Sequence, residues 1–354
     1  MSRRIACLVA LILVSAACSS GAETPPTTTT VPSSTTSSQP SGSTTTTTTT
    51  IPPVGFSPLN GLPIYEDELF ERRAIGVKID NSRPAHPQSG IQNADAIVEL
   101  LVEDRVTRFI AFFHGSDTDY IGPIRSLRPS DVQVALPLGA TMVYTGGQPW
   151  VTGPAASQGL ERVTFTDDIM YRIADRVLPH NVYGSTLDFR ANADERGNSN
   201  DLPLSWFSFG EWPLPTEPAT TVTIEWTAPS HVEWRYDEAT HVYKRWANDS
   251  EHEWVDIDGE RGQVEAEVLV VLSVRPYIAN VPSGFSGSAV PAVDSVGSGD
   301  AWIFSKGRAW LGTWERDSAS EPFRLLDEFG HPANVPAGRL WVSLYPNTQT
   351  FQFD

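Results

Sequence analysis

The chain has 354 residues, with 43 acidic against 25 basic side chains and a formal charge of −18. That balance excludes nucleic acid as a partner and adhesion of the folded part to anionic lipid, both of which need a basic face. The two cysteines, Cys7 and Cys18, both precede residue 20. An internal disulfide, a thiolate metal cluster and a catalytic cysteine are thereby excluded from the rest of the chain.

Residues 1–18 read MSRRIACLVALILVSAAC. Arg3 and Arg4 form a basic start, and the apolar run from Ile5 to Val14 falls short of the about 20 residues that a spanning helix needs. This is the layout of an export signal. Ser15-Ala16-Ala17-Cys18 is similar to a bacterial lipobox, in which the cysteine is acylated and becomes the new N-terminus. Ser15 stands where an aliphatic residue is usual, so two readings remain: a lipid anchor on Cys18, or ordinary cleavage near Ala17 and secretion.

Residues 19–53 are Thr-, Ser- and Pro-rich with almost no charge and no aromatic residue. Such a segment cannot bury enough surface to offset the entropy of ordering. As a coil it would span about 30–35 Å, a tether between an anchor and a folded head.

Residues 54–200 mix two periodicities. RRAIGVKIDNS alternates Ile75, Val77 and Ile79 with Gly76, Lys78 and Asp80, the signature of a half-buried strand. DAIVELLVED and VTRFIAFFHG predict two more strands, the second nearly all apolar and therefore central. RPSDVQVALPLG predicts a short helix with Pro129 in its first turn. ATMVYTGGQP predicts a strand, and GPAASQGLE and DDIMYRIADRV predict helices. The expected class is α+β, with a mixed α/β first domain.

From residue 201 the pattern changes. TVTIEW, HVEWRYD, THVYKRW, EVLVVLSV, DAWIFSKGRAWLGTW and RLWVSLYP are aromatic and β-branched runs separated by turn residues. They predict a mainly antiparallel β domain over 201–354, after a loop at 192–203. Its many tryptophans fit core packing in alternating strands, with sugar stacking as the other use of exposed indoles.

No nucleophile elbow, zincin motif, phosphate loop or calcium loop is present, and nothing calls for a cofactor or metal. Glu99 with Glu103 and Asp167 with Asp168 are spaced as carboxylate pairs, but spacing alone does not make them face each other. The candidate binding residues are instead polar groups at strand ends and bends. Lys78, Asp80 and Asn81 end the first strand. Glu99 sits between apolar neighbours, where a carboxylate is costly unless paired. Arg108 stands comparably in the next strand. Arg125 and Arg128, in YIGPIRSLRPSD, lead into the helix at Pro129, and His180 and Asn181 follow Pro179.

Paired arginines of this kind grip a carboxylate or phosphate. Three readings follow: a site for an anionic envelope component or protein partner; internal ion pairs, with Arg108 or Arg125 neutralising Glu99, in a structural adaptor; or a hydrolase or transferase with His180 as base and Asp80 or Glu99 as its partner.

PLNGLP, KIDNSRPAHPQSG, GPIRSLRPSD and PHNVYGS, followed in order by GSGDAWIFSKGRAWLGTWER and PAGRLWVSLYP, resemble the DUF3048 family of YerB-like lipoproteins. The resemblance covers 55–350. It implies two domains and an extracytoplasmic, lipid-anchored envelope protein, and it brings no established activity.

Overall fold

Three strands carry the centre of the molecule: β1 (Ile75–Asp80), β2 (Ala96–Leu101) and β3 (Thr107–Phe113). The computed structural model describes residues 51–165, 169–227 and 230–354. The expected signal, the tether to residue 50, Cys18 and the Asp167–Asp168 pair lie outside them. β3 is buried at every position and runs antiparallel to both neighbours, with Arg108 opposite Asp80 and Phe109 opposite Glu99. Its near-continuous apolar run suits a strand covered on both faces. Alternation sends Leu100, Ile110 and Phe112 into one apolar cluster and Ile79, Phe109 and Ala111 into another.

Beyond β1 lie the parallel strands β4 (Thr141–Tyr144) and β5 (Arg162–Thr164). On the other side the sheet continues with strands from the second half of the chain: β6 (Val268–Ala279), β7 (Gly297–Ser305), β8 (Arg308–Arg316) and β9 (Leu340–Pro346). Its spatial order is β8-β7-β6-β9-β2-β3-β1-β4-β5. β9 is parallel to both β6 and β2, so the last long strand of the chain seals the first half to the second. The change of composition near residue 200 is real, yet the hydrogen-bonded ladder runs across it. The mainly antiparallel reading of the second half holds for most of its pairs; the parallel pairing of β9 is the exception, because a parallel register cannot be read from composition.

A second, antiparallel sheet is built on Thr221–Thr227, Ser230–Asp237 and Val242–Ala247, with Phe351–Phe353 at its side. Val222, Ile224 and Trp226 alternate inward and join the cluster that holds Phe109 and Trp341. Trp341 meets Phe109 at 5.0 Å and Trp234 at 4.9 Å, both edge to face. Trp226, Trp234, Trp310, Trp314 and Trp341 are fully buried, which assigns most of the indoles to packing.

Two local expectations are corrected. The segment read as the helix DDIMYRIADRV carries a strand at Met170–Arg172, paired with Val182–Gly184 so that Tyr171 faces Tyr183. Long-range pairing outweighs a weak helical pattern there. The loop expected at 192–203 begins inside a helix instead, α2 at Thr186–Glu195, whose start Ser185 caps through its hydroxyl. The helix after Arg128, α1 (Pro129–Ala135), forms as read, with Pro129 at its first position.

Because β9 stands between β6 and β2, the unit from 51 to 354 should unfold as one. Urea unfolding followed by far-ultraviolet dichroism and by tryptophan fluorescence should give coincident midpoints. Two separated transitions would show that the halves fold independently.

Candidate functional site

The pleat of β1 and β3 puts Lys78, Asp80 and Arg108 on one face. The bend after Gly122 runs along the edge of β1 as an antiparallel bridge between Ile124 and Ile79, with Asp80 N–H donating to the Pro123 carbonyl and Arg125 N–H to the Lys78 carbonyl. Asp80 is buried, and its Oδ2 lies 2.7 Å from His180 Nδ1 and 3.0 Å from Arg125 Nε, while Ser82 N–H donates to Oδ1. Burial alone would raise the Asp80 pKa. The Arg125 charge, with the Ser82 and His180 hydrogen bonds, overcomes it and holds the carboxyl below its usual value.

The other charges pair in turn. Lys78 Nζ meets Asp131 of α1 at 2.6 Å, with both side chains wholly buried. Burial brings this ammonium down to about 8 against the pull of Asp131. Arg128 Nε meets Glu103 at 2.7 Å, and Arg128 N–H donates to Asp131 Oδ2 at the start of α1. Asp80, Glu103 and Asp131 thus answer Arg125, Arg128 and Lys78. Arg108 is left over.

Arg108 is 7% exposed, and among the described residues it forms no ion pair. Its Nε has no hydrogen-bond partner among the described residues, and the bond from its Nη1 to the Ser126 carbonyl is a long one, 3.4 Å. Burial, then the nearby charges of Arg128 and Arg125, bring its pKa down to about 10 against the more modest pull of Asp80 and Glu103. An unpaired buried guanidinium is costly. Its neighbours leave a positive corner in an acidic protein.

His180 is 15% exposed. Its Nδ1 is engaged by Asp80, and Ser82 Oγ approaches that same nitrogen at 3.3 Å. Serine and aspartate therefore compete for one ring nitrogen, which is not the relay of a serine hydrolase. The dyad leaves Nε2 as the atom able to move a proton.

Asn81 and Glu99 belong to the opposite face, in a closed ring of hydrogen bonds. Glu99 Oε1 accepts from Thr107 Oγ1 at 2.6 Å, and that hydroxyl accepts from Asn81 Nδ2 at 2.7 Å. Asn81 Oδ1 accepts from Gln88 Nε2 at 3.0 Å, and Gln88 Oε1 lies 2.7 Å from His252 Nε2. Arg245 closes the circuit, touching His252 Nδ1 and donating to Glu99 Oε1 at 2.8 Å. Trp341 donates to Glu99 Oε2 at 3.1 Å.

These bonds fix the His252 tautomer, with the proton on Nε2 toward Gln88 and the lone pair on Nδ1 toward Arg245. A second proton would point at the guanidinium. Burial, Arg245 and the neighbouring His86 all push the His252 pKa well down. His86 stacks flat on it at 4.5 Å and is itself lowered to about 4, chiefly by burial.

The structure therefore gathers Asp80, Arg108, Arg125, Arg128 and His180 at one corner. Lys78 lies beneath them, sealed by Asp131. Asn181 is pinned away from the corner by Arg172 and the Ile173 carbonyl. Glu99 is neutralised by Arg245, not by Arg108 or Arg125, and Glu103 belongs to Arg128, so the two glutamates do not act as a pair. Sequence reasoning missed Arg245 and His252, whose partners Glu99 and Gln88 lie 146 and 164 residues away. An arginine inside the alternating run HVYKRWA was the one available hint.

Removing one member of the buried Glu99–Arg245 pair strands the other. Glu99→Gln or Arg245→Met should cost about 3–5 kcal/mol, measured by urea unfolding at pH 7. A loss within about 0.5 kcal/mol would mean that the ring relaxes to solvate the orphan.

Acid should weaken the fold before its carboxylates titrate. His86 and His114 have folded pKa values of about 4, and His252 is also depressed. The unfolded chain then takes up these protons first, so stability is full above pH 6.5 and falls towards pH 4. Asp95, raised by burial, acts in the opposite sense. His86→Gln should reduce the slope of stability against pH by up to about 1.4 kcal/mol per pH unit. An unchanged slope would show that folded His86 accepts its proton freely.

Comparisons with known proteins agree with this architecture. Residues 59–199 match the family model described as the N-terminal domain of a protein of unknown function, DUF3048, and residues 222–342 match its C-terminal domain. A relative from Bacillus subtilis (strain 168), YerB, named as a lipoprotein, is 27% identical over 198 residues. That stretch is 53% of this chain and 59% of the relative's length. The crystal structure of the YerB protein from Bacillus subtilis superposes with a TM-score of 0.70 at 21% identity, covering 84% of this chain and 99% of that one, a likeness of fold. With both of its domains matched in order, the chain belongs to the DUF3048 family.

Proposed function

We propose that this protein is an extracytoplasmic lipoprotein, anchored through Cys18 and extended on the 19–53 tether. Its folded unit binds an anionic group of an envelope component or partner at the corner of Arg108, Arg125 and Arg128. The observation that carries the reading is Arg108, a buried guanidinium without an ion-pair partner among the described residues, beside two further arginines. Arg125 and Arg128 are 18% and 12% exposed, so the corner borders solvent. A carboxylate or phosphate there would supply the charge that Arg108 lacks, in the geometry guanidinium groups favour.

A second reading rests on the 2.7 Å contact between Asp80 and His180. Asp80 fixes the ring through Nδ1, so Nε2 could exchange a proton with a group held by the arginines. In that case the corner is a hydrolase or transferase site without a serine nucleophile.

The test is chemical unfolding of the full chain with and without inorganic phosphate and acetate, for the wild type, Arg108→Met and His180→Ala. An anion at 100 times its dissociation constant should add about 2.7 kcal/mol to the wild type. Arg108→Met should abolish that gain and, without anion, leave the protein as stable or up to about 4 kcal/mol more stable. Loss of stability in Arg108→Met, with no anion effect on the wild type, would assign Arg108 to the fold. His180→Ala separates the two readings: binding survives it in the first, and turnover of a bound ester is lost in the second.

A further inference from the structure

On the far side of the turn that carries His180 lies a groove that the arginine corner does not use. Two adjoining cavities, of about 620 and 370 Å³, share Tyr120, Asp256 and Ile257 in their walls. Together they have the dimensions of a small-molecule site. Tyr120 stacks on Tyr183 at 4.7 Å with the rings 19° apart. Tyr171, exposed, stands directly opposite Tyr183 in the neighbouring ladder. Tyr183 and Tyr120 therefore line the larger cavity as a stacked pair, the first buried and the second half-buried, with Tyr171 beside them but outside the cavity wall.

The floor is only partly satisfied. Ser89 and Tyr183 line the larger cavity and are wholly buried, and their hydroxyls adjoin each other with no further hydrogen-bond partner among the described residues. Two hydroxyls that have only each other leave a donor and lone pairs unspent at the cavity floor. Burial raises Tyr183 far above the ordinary phenol range, so its hydroxyl stays neutral and can both donate and accept.

The charges lining the larger cavity balance, Arg176 and Arg261 against Asp175 and Asp256. The smaller one is lined by Asp117, Asp119 and Asp256 with no basic residue. An anion is thus unsuited to this groove. Planar amide and carboxylate groups beside it, Gln92, Asn93 and Asp256, are of the kind that bridge neighbouring hydroxyls. Arg176 fixes the wall by donating to the carbonyls of Pro84 and Pro87.

We infer that this groove binds an uncharged glycan of two or three sugar units, with a pyranose face on Tyr120 and hydroxyls reaching toward Ser89 and Tyr183. An aromatic face flanked by groups that donate and accept is the chemistry a sugar ring requires. This site is distinct from the arginine corner and does not rest on it.

The experiment is saturation-transfer NMR and calorimetry on the full chain with three probes: a β-1,4-linked N-acetylglucosamine trimer, cellotriose and maltotriose. At least one should bind with a dissociation constant of about 1 mM or below. Tyr120→Ala should weaken that binding about tenfold, Tyr120→Trp should retain it, and Tyr183→Phe should weaken it several-fold. Arg108→Met should leave it unchanged, which separates this groove from the anion site. The inference is overturned if none of the three probes shows saturation transfer, or if folded Tyr120→Ala binds as the wild type does.

Discussion

The Glu99–Arg245 ion pair is the contact on which the rest of the molecule depends. Both side chains are wholly buried, and either alone would be a charge stranded in an apolar layer. Glu99 lies in β2, in the first half of the chain, and Arg245 in the second sheet, in the other half. Neither half can close its core with its own charge unpaired, so the pair makes association of the halves part of folding itself. Arg245 also sits within 5.7 Å of the rings of Phe109, Trp234 and Trp341, so an aromatic cage supports the cation on the sides the carboxylate does not reach.

The ring of hydrogen bonds transmits that constraint to the other face. Gln88 bonds His252 and Asn81 and also the Asp80 carbonyl, at 3.0 Å. Asp80 is thereby held from behind by its backbone while its side chain, on the opposite face, holds Arg125 and His180. A residue of the structural ring and a residue of the candidate site are neighbours in the chain with opposite duties. The pleat separates them, and one glutamine clamps both.

Much of this was legible in the sequence, for physical reasons that differ by element. β1 and β3 announced themselves through alternation and an apolar run, α1 through Pro129, and the tryptophan runs through their strand period. Glu99 declared a hidden partner because a carboxylate among Val98, Leu100 and Leu101 needs one. Which cation answers it was not legible: Arg108 and Arg125 are close in sequence, whereas Arg245 arrives only through the packing of one sheet on the other. The two arginines of the Arg125/Arg128 bend stood out in the sequence, and both form internal ion pairs, with Asp80 and Glu103; the member left unpaired is Arg108, and charge excess is a property of the assembled corner. β9, parallel between β6 and β2, was equally hidden, since a strand's run of residues carries no record of its neighbour's direction.

The turn at 173–181 ties the two proposed sites into one arrangement. Its ends are pinned by Ile173 N–H on the Asn181 carbonyl and by Arg172 on the Asn181 side chain. On one side Arg176 and Val177 wall the tyrosine groove. On the other, His180 meets Asp80, and the Pro179 carbonyl accepts from Arg125 at 3.4 Å. A turn anchored by three arginines has little freedom to open independently at either side. On the two proposals together, a groove without net positive charge and a cationic corner on the two sides of one turn would suit a polymer that carries both sugar and acid, whose neutral and charged units would meet the two sides of that turn. Such a ligand would engage the protein through two modest contacts, and linkage of the two would give an affinity that neither reaches alone.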